Sequence, residues 1–264
     1  MMPPPRFALQ TFTIRKFMTS PAAIEAGIAR VSEMGLNAIE LAYIKLRPEE
    51  INAVARAGKT HGVTVGSTQI TFDFLSKQRD WVLRMHEQLG CTTTSVSVLP
   101  FPAIVGKRDR LLRFAEQLDA LGRYYRERGL QLCHHHHDFE LRDYGGECGL
   151  DLLLRNTAAD NVGLVLDTYW TARGGRSPQD AIADHGGRVK VVHLRDFRLH
   201  WKYFQLTPVD AALGKGNLDF TRIVNSCIAH KVQYMAIEQA TARPFEEVAD
   251  SVAHLKGLGY DTLF

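Results

Sequence analysis

Short apolar runs alternate with longer helical stretches eight times along this chain, with no linker or low-complexity segment between them. The runs fall at residues 7–12, 37–42, 61–67, 94–99, 129–133, 162–167, 189–194 and 234–238. Several are nearly continuous in apolar side chains, the pattern of strands in a parallel sheet covered on both faces. Between the first two, Ser20-Pro21 reads as a helix cap followed by proline at the first helical position. Ala23, Ile24, Gly27, Ile28, Val31 and Met34 then form a stripe at helical spacing, which Gly35 ends. Further helical stretches run from Pro48 to Thr60, from about Arg108 to Arg128, through 150–154, from Leu218 or Asp219, and from Pro244. A long loop is expected through Lys202 and Gly214-Lys215-Gly216. Eight such units in 264 residues predict a single (β/α)8 TIM barrel spanning residues 1–264. The structural alternative is a doubly wound open sheet. Against it, no glycine-rich dinucleotide fingerprint follows the first run.

Composition mainly excludes. A net charge of +3 with no Lys/Arg block argues against a nucleic-acid partner. Cys91, Cys133, Cys148 and Cys227 are scattered without a CxxC, as reduced thiols of a cytosolic protein would be. The N-terminus lacks an apolar signal core and no apolar run approaches membrane length, so the expectation is a soluble, cytoplasmic protein with no membrane partner.

The fifth run ends in His134-His135-His136-His137-Asp138-Phe139-Glu140. Side chains alternate along a strand, so His135 and His137 share one face and His134 and His136 the other. Imidazoles closing a buried strand need a metal, a carboxylate or a substrate as partner. Other runs also end in polar residues: Glu40, Gln69 just past the third, Asp167, His193 with Arg195 and Asp196, and Glu238. In a barrel those C-terminal strand ends carry the chemistry. A lone carboxylate there could merely cap the next helix, and an arginine before an aspartate could be a rim salt bridge. A set drawn from strands five to eight suits one divalent cation, Mn²⁺ first, with Co²⁺, Mg²⁺ or Zn²⁺ also compatible. Gly214-Lys215-Gly216 reads as a tight turn more readily than as a phosphate contact.

Taken in order, these segments resemble the xylose-isomerase-like TIM barrels, in particular the sugar phosphate isomerase/epimerase group that includes inosose isomerases and dehydratases. Residues 8–15 and 34–41 are similar to that family's first two strands, and 134–140 to its Tyr-His-Asn-His-Asp-Phe-Glu. Leu166-Asp167-Thr168-Tyr169-Trp170, His193-Leu194-Arg195-Asp196, Leu213-Gly214-Lys215-Gly216-Asn217 and Ile237-Glu238-Gln239 match later motifs. The resemblance implies a metal held by Asp167, His193 and Glu238, with Glu140 as the expected fifth-strand ligand and His135 as its alternative. It implies a sugar or polyol substrate, contacted by Glu40, Gln69, Trp170 and Arg195, and it allows a homodimer.

The expected chemistry is isomerisation or epimerisation of a keto-sugar or related polyol. Glu238, Glu140, His135 or His137 would take a proton from the carbon beside a metal-polarised carbonyl, through a metal-stabilised enediolate. Loss of a β-substituent, a lyase reaction on an inosose or 3-keto-glycoside, shares that first half. Two further readings are a non-catalytic accessory barrel and an abasic-site endonuclease. The latter's extra metal-binding histidines would fall where this chain has Gln69 and Trp170.

Overall fold

A computed structural model describes residues 5–202 and 204–264. Ten strands occur in chain order among them: β1 Arg6–Gln10, β2 Ala38–Leu41, β3 Thr64–Ile70, β4 Thr93–Val96, β5 Gln131–His135, β6 Val162–Asp167, β7 Val189–Leu194, β8 Asp196–Lys202, β9 Gln205–Ala211 and β10 Tyr234–Ile237. Eight close into a parallel barrel in the order β1-β10-β7-β6-β5-β4-β3-β2, so the first strand pairs with the last. This is the (β/α)8 barrel that the alternating sequence predicts.

Local signals act as they read. Ser20 accepts from the Ala23 amide, and the helix Pro21–Glu33 buries Ile24, Gly27, Ile28 and Val31 against the sheet. Two shorter helices absent from the sequence reading, Phe72–Lys77 and Arg79–Leu89, fill the connection between β3 and β4. The third strand also lies further along than the apolar pattern indicates, so Gln69 is inside β3 rather than beyond it. Its pairing with β2 skips a residue at Gly66, whose absent Cβ leaves room for the Tyr234 ring.

The long loop expected after the seventh strand is instead an antiparallel ribbon, β8 with β9, paired from Asp196↔Ala211 to Lys202↔Gln205. Much of the ribbon is exposed, including Leu199, Trp201 and Leu206, so no core-facing alternation marks it in the sequence. At its base the Asp196 carboxylate accepts from the amides of Phe197, Gly214, Gly216, Asn217 and Leu218 at 2.9–3.2 Å. Those glycine amides are therefore held by a carboxylate of this same chain. A Cβ on Gly216 would collide with that carboxylate.

The barrel interior is layered. Ala8, Ala38, Cys133, Val165, Val191 and Ala236 pack together as a small-residue layer inside the strands. Two residues further along each strand, on the same face, stand Gln10, Glu40, His135, Asp167, His193 and Glu238. A polar layer is thus set directly above the apolar one at the C-terminal mouth. Among the described residues, no helix is long and apolar enough to cross a membrane.

Candidate metal centre

Four side chains of that polar layer converge. His135, Asp167, His193 and Glu238 each offer one ligand atom, and these atoms lie within 4.8 Å of one another. His135 Nε2 is 3.7 Å from Asp167 Oδ2, and His193 Nδ1 is 3.9 Å from Asp167 Oδ2 and 2.9 Å from Glu238 Oε2. All four residues are buried, and none of these four atoms has a partner in good hydrogen-bond geometry, although His193 Nδ1 and Glu238 Oε2 meet as an ion pair at 2.9 Å. Buried polar atoms are nearly always satisfied, so four such atoms facing one point need a common partner. Two imidazole nitrogens and two carboxylate oxygens form a donor set that fits a divalent cation.

The other atom of each ligand is tied down in a way that leaves the inward atom free. His135 Nδ1 lies 3.2 Å from the Ser97 carbonyl, so that nitrogen carries the proton and Nε2 keeps its lone pair. His193 Nε2 is 2.6 Å from Glu40 Oε1, which fixes the complementary tautomer, and Ser67 Oγ donates to the second Glu40 oxygen. Asp167 Oδ1 accepts from the Trp170 amide at 3.0 Å. Glu238 Oε1 lies 3.3 Å from Arg195 Nη1. This is the outer-shell orientation seen at metal sites generally.

Electrostatics follow from burial opposed by paired charge. Burial disfavours the charged form of His193, but the Glu40 and Glu238 carboxylates outweigh it and hold the imidazole well above its ordinary range, so a cation at Nδ1 would displace a proton. Burial likewise works against ionised Asp167 and Glu238, yet Arg195 and neighbouring imidazoles keep both carboxyls below the usual range. Arg195 is buried between Asp167, Glu238 and Asp210, at 3.6, 3.3 and 3.0 Å. Its guanidinium also sits over the Tyr169 and Trp170 rings. It is a built part of the site rather than a rim salt bridge.

Two sequence expectations need correction. Glu140, expected as a metal ligand and acid/base, does not join the cluster. It is fully buried, with Oε1 2.8 Å from His134 Nε2 and Oε2 accepting from the His137 amide at 2.9 Å. The cause is strand alternation: His134 points out of the barrel, its ring against Phe114, and it holds Glu140 on that outer side. The fifth-strand member is His135. Glu40, expected to contact substrate, lies beneath His193 and orients it.

A cavity of about 290 Å³ opens over the cluster, lined in part by Gln69, His135, His137, Trp170, Arg195 and Glu238. Gln69 Nε2, His137 Nδ1 and Trp170 Nε1 are buried without partners, which leaves three polar groups for a ligand. The His137 ring sits edge-on to His135 and tilted against Trp170, at 4.6 and 5.2 Å between centroids. Burial and the neighbouring His135 push its pKa down to about 3, so it is a neutral imidazole at physiological pH. His136 faces the other way, between the Asp167 amide and Thr171. Sequence reasoning missed Gln10, which bonds Gln69 at 3.2 Å, and Ser67. The step of two from Ala8 would have found Gln10.

The role of Glu40 gives a direct prediction. Glu40→Gln should lower Mn²⁺ affinity about 10–100-fold, as loss of outer-shell partners typically does, measured by metal titration of the chelator-stripped protein. An unchanged affinity would remove Glu40 from the support of His193.

The sequence model describing xylose isomerase-like TIM barrels matches residues 28–258. Comparison with curated protein sequences finds no match. Among solved structures, the chain is similar to a sugar phosphate isomerase/epimerase from Parabacteroides distasonis, with TM-score 0.76 and 18% identity over 95% of this chain and 93% of that one. A probable 3-DHS dehydratase, AsbF, from Bacillus anthracis aligns with TM-score 0.73 and 11% identity, over 95% and 98%. A xylose isomerase-like TIM barrel protein from Mycobacterium smegmatis, solved in complex with magnesium, gives 0.75 and 13%, over 98% of each chain. These likenesses concern the fold, and with the family match over most of the sequence they agree on one conclusion: the chain belongs to the xylose isomerase-like TIM barrel family.

Proposed function

We propose that this protein is a divalent-metal-dependent isomerase or epimerase acting on a keto-sugar or related polyol. The observation that carries the reading is the convergence of four buried ligand atoms from His135, Asp167, His193 and Glu238, two of which residues, His135 and Glu238, line a polar cavity. His135, Asp167, His193 and Glu238 would hold the ion, and the mixed imidazole and carboxylate donors favour Mn²⁺ or Co²⁺ over an all-oxygen magnesium site. When bound, the ion polarises a substrate carbonyl and makes the neighbouring C–H acidic.

The chain's own residues account for the remaining steps. Arg195, fixed between three carboxylates, presents a permanent positive charge to oxygen as negative charge develops there. Gln69 Nε2 and Trp170 Nε1 orient hydroxyl groups, and the indole face covers the apolar side of the ring. His137 is the imidazole of the fifth-strand segment that lines the cavity and has an unpartnered Nδ1, so it would accept the proton and return it, the negative charge developing beside it offsetting the burial that depresses its pKa. Return to the former carbonyl carbon, with the matching proton shift between the two oxygens, gives an isomer, whereas an epimer would need a second acid on the opposite face of the same carbon.

A second reading, elimination of a β-substituent, is favoured by one observation. The cluster contains a single glutamate, because Glu140 is withdrawn, so a pair of glutamates flanking the reacting carbon is absent from the four. The deciding test is incubation with keto-sugars and inososes in D₂O plus Mn²⁺. Deuterium should enter beside the carbonyl only with metal present, and product mass separates rearrangement from loss of a substituent. Absence of exchange across the panel, with metal bound, would refute proton abstraction.

A further inference from the structure

Beside the polar cavity lies a second one of about 450 Å³, and the two share the walls formed by Tyr43, Gln69, Ser97 and Val98. Beyond that shared wall, among the described residues, no charged or imidazole side chain lines the second cavity, which Ile44, Leu46, Ile70, Thr71 and Phe74 face. An unsubstituted sugar has only its apolar ring face, already covered by Trp170, and has no use for a second apolar chamber. His135 and Glu238 of the metal cluster line one compartment, and a largely apolar annex borders it.

The boundary is specifically built. Tyr43 has φ 57°, a left-handed conformation that side chains other than glycine seldom adopt. That backbone sets its ring edge-on to Phe12, with centroids 4.9 Å apart, at the junction of the two chambers. Gln69 stands on the same junction, its Oε1 accepting from Gln10 and its Nε2 buried without a partner. An amide donor at that point is placed to meet an oxygen that joins a polar ring to an apolar group.

We propose that the substrate is a keto-sugar or cyclic polyol bearing an apolar substituent of aromatic-ring size. The oxygenated ring lies over the metal cluster, the linking oxygen faces Gln69 Nε2, and the substituent fills the annex. The proposal deepens the metal-dependent reading above and rests on it. Specificity then resides in Ile44, Leu46 and Phe74, residues remote from the cluster and only half-buried, so they tolerate change.

The test compares methyl and phenyl 3-oxo-β-D-glucopyranosides binding to the Mn²⁺-loaded protein by calorimetry. The phenyl compound is expected to bind about tenfold to a hundredfold more tightly, the effect of removing one aromatic face from water. Ile44→Gln and Phe74→Gln should each bring the two compounds to within about threefold, with Mn²⁺ affinity and methyl-compound affinity unchanged. Leu46→Trp, which fills the annex, should do the same and guards against a variant that fails to fold. Equal affinities in the unaltered protein with Mn²⁺ bound, or no binding of either compound at millimolar concentration, would overturn the annex while leaving the metal centre standing. A phenyl preference in protein that takes up no Mn²⁺ would uphold the annex and remove the metal-dependent reading.

Discussion

Asp167→Ala should abolish Mn²⁺ uptake at micromolar metal and, with it, catalysed proton exchange, while the barrel stays folded. Removing a direct ligand should cost more than the roughly 10–100-fold typical of an outer-shell change, because one anionic donor of four disappears. His193→Ala should behave alike. Fold retention is expected because these side chains stand above the small-residue layer and contribute little to the apolar core. Asp167 also caps the following helix through the Trp170 amide, so its removal carries about 1 kcal/mol of unrelated destabilisation. Asp167→Asn can keep that cap and still lose the anionic donor, and should therefore match the alanine variant in metal content. Thermal melts with and without chelator give a second readout. Metal at a hundred times its dissociation constant stabilises the folded state by about 2.7 kcal/mol, or roughly 5–10 °C for a chain of this size. That difference should vanish in both variants. Full metal content in either would show that the cluster is not the binding site.

The barrel was legible because strands covered on both faces must be apolar throughout, and helices between them must carry a stripe. Asp167, His193 and Glu238 were legible because each stands at or next to the end of such a run. What escaped was direction and distance. Glu140 follows the fifth run by a few residues, and nothing in its spacing tells that His134, pointing outward, will hold it. Glu40 looked like the other strand ends, yet only the closed barrel brings it within 2.6 Å of His193, a partner 153 positions later. The β8–β9 ribbon escaped because much of it faces solvent, so no period-two pattern of burial is written into it. The third strand starts later than its apolar pattern because the preceding helix runs to His61 and is capped by left-handed Gly62. The two-residue step from the small-residue layer to the polar layer was present in the sequence, and it names all six polar positions once the inward face is known.

His137→Ala isolates the proton-transfer group from the metal ligands. The side chain lies two positions from His135 and touches its ring, but it is not among the four converging donors. Metal content should therefore remain that of the unaltered protein, within about threefold, whereas turnover should fall about 10²–10⁴-fold, the usual contribution of a positioned acid or base. The split matters more than the size of the loss. If His137 only packs against Trp170, the variant should weaken substrate binding and raise KM with kcat nearly unchanged. If it moves the proton, kcat should fall, and so should deuterium exchange into bound substrate at saturating concentration. His137→Gln keeps a polar side chain of similar reach without a basic nitrogen, so it should resemble alanine in the catalytic case and the unaltered protein in the packing case. Unchanged exchange in both variants would transfer the role to Glu238, whose Oε1 beside Arg195 is the remaining carboxylate oxygen of the cluster that lines the same cavity.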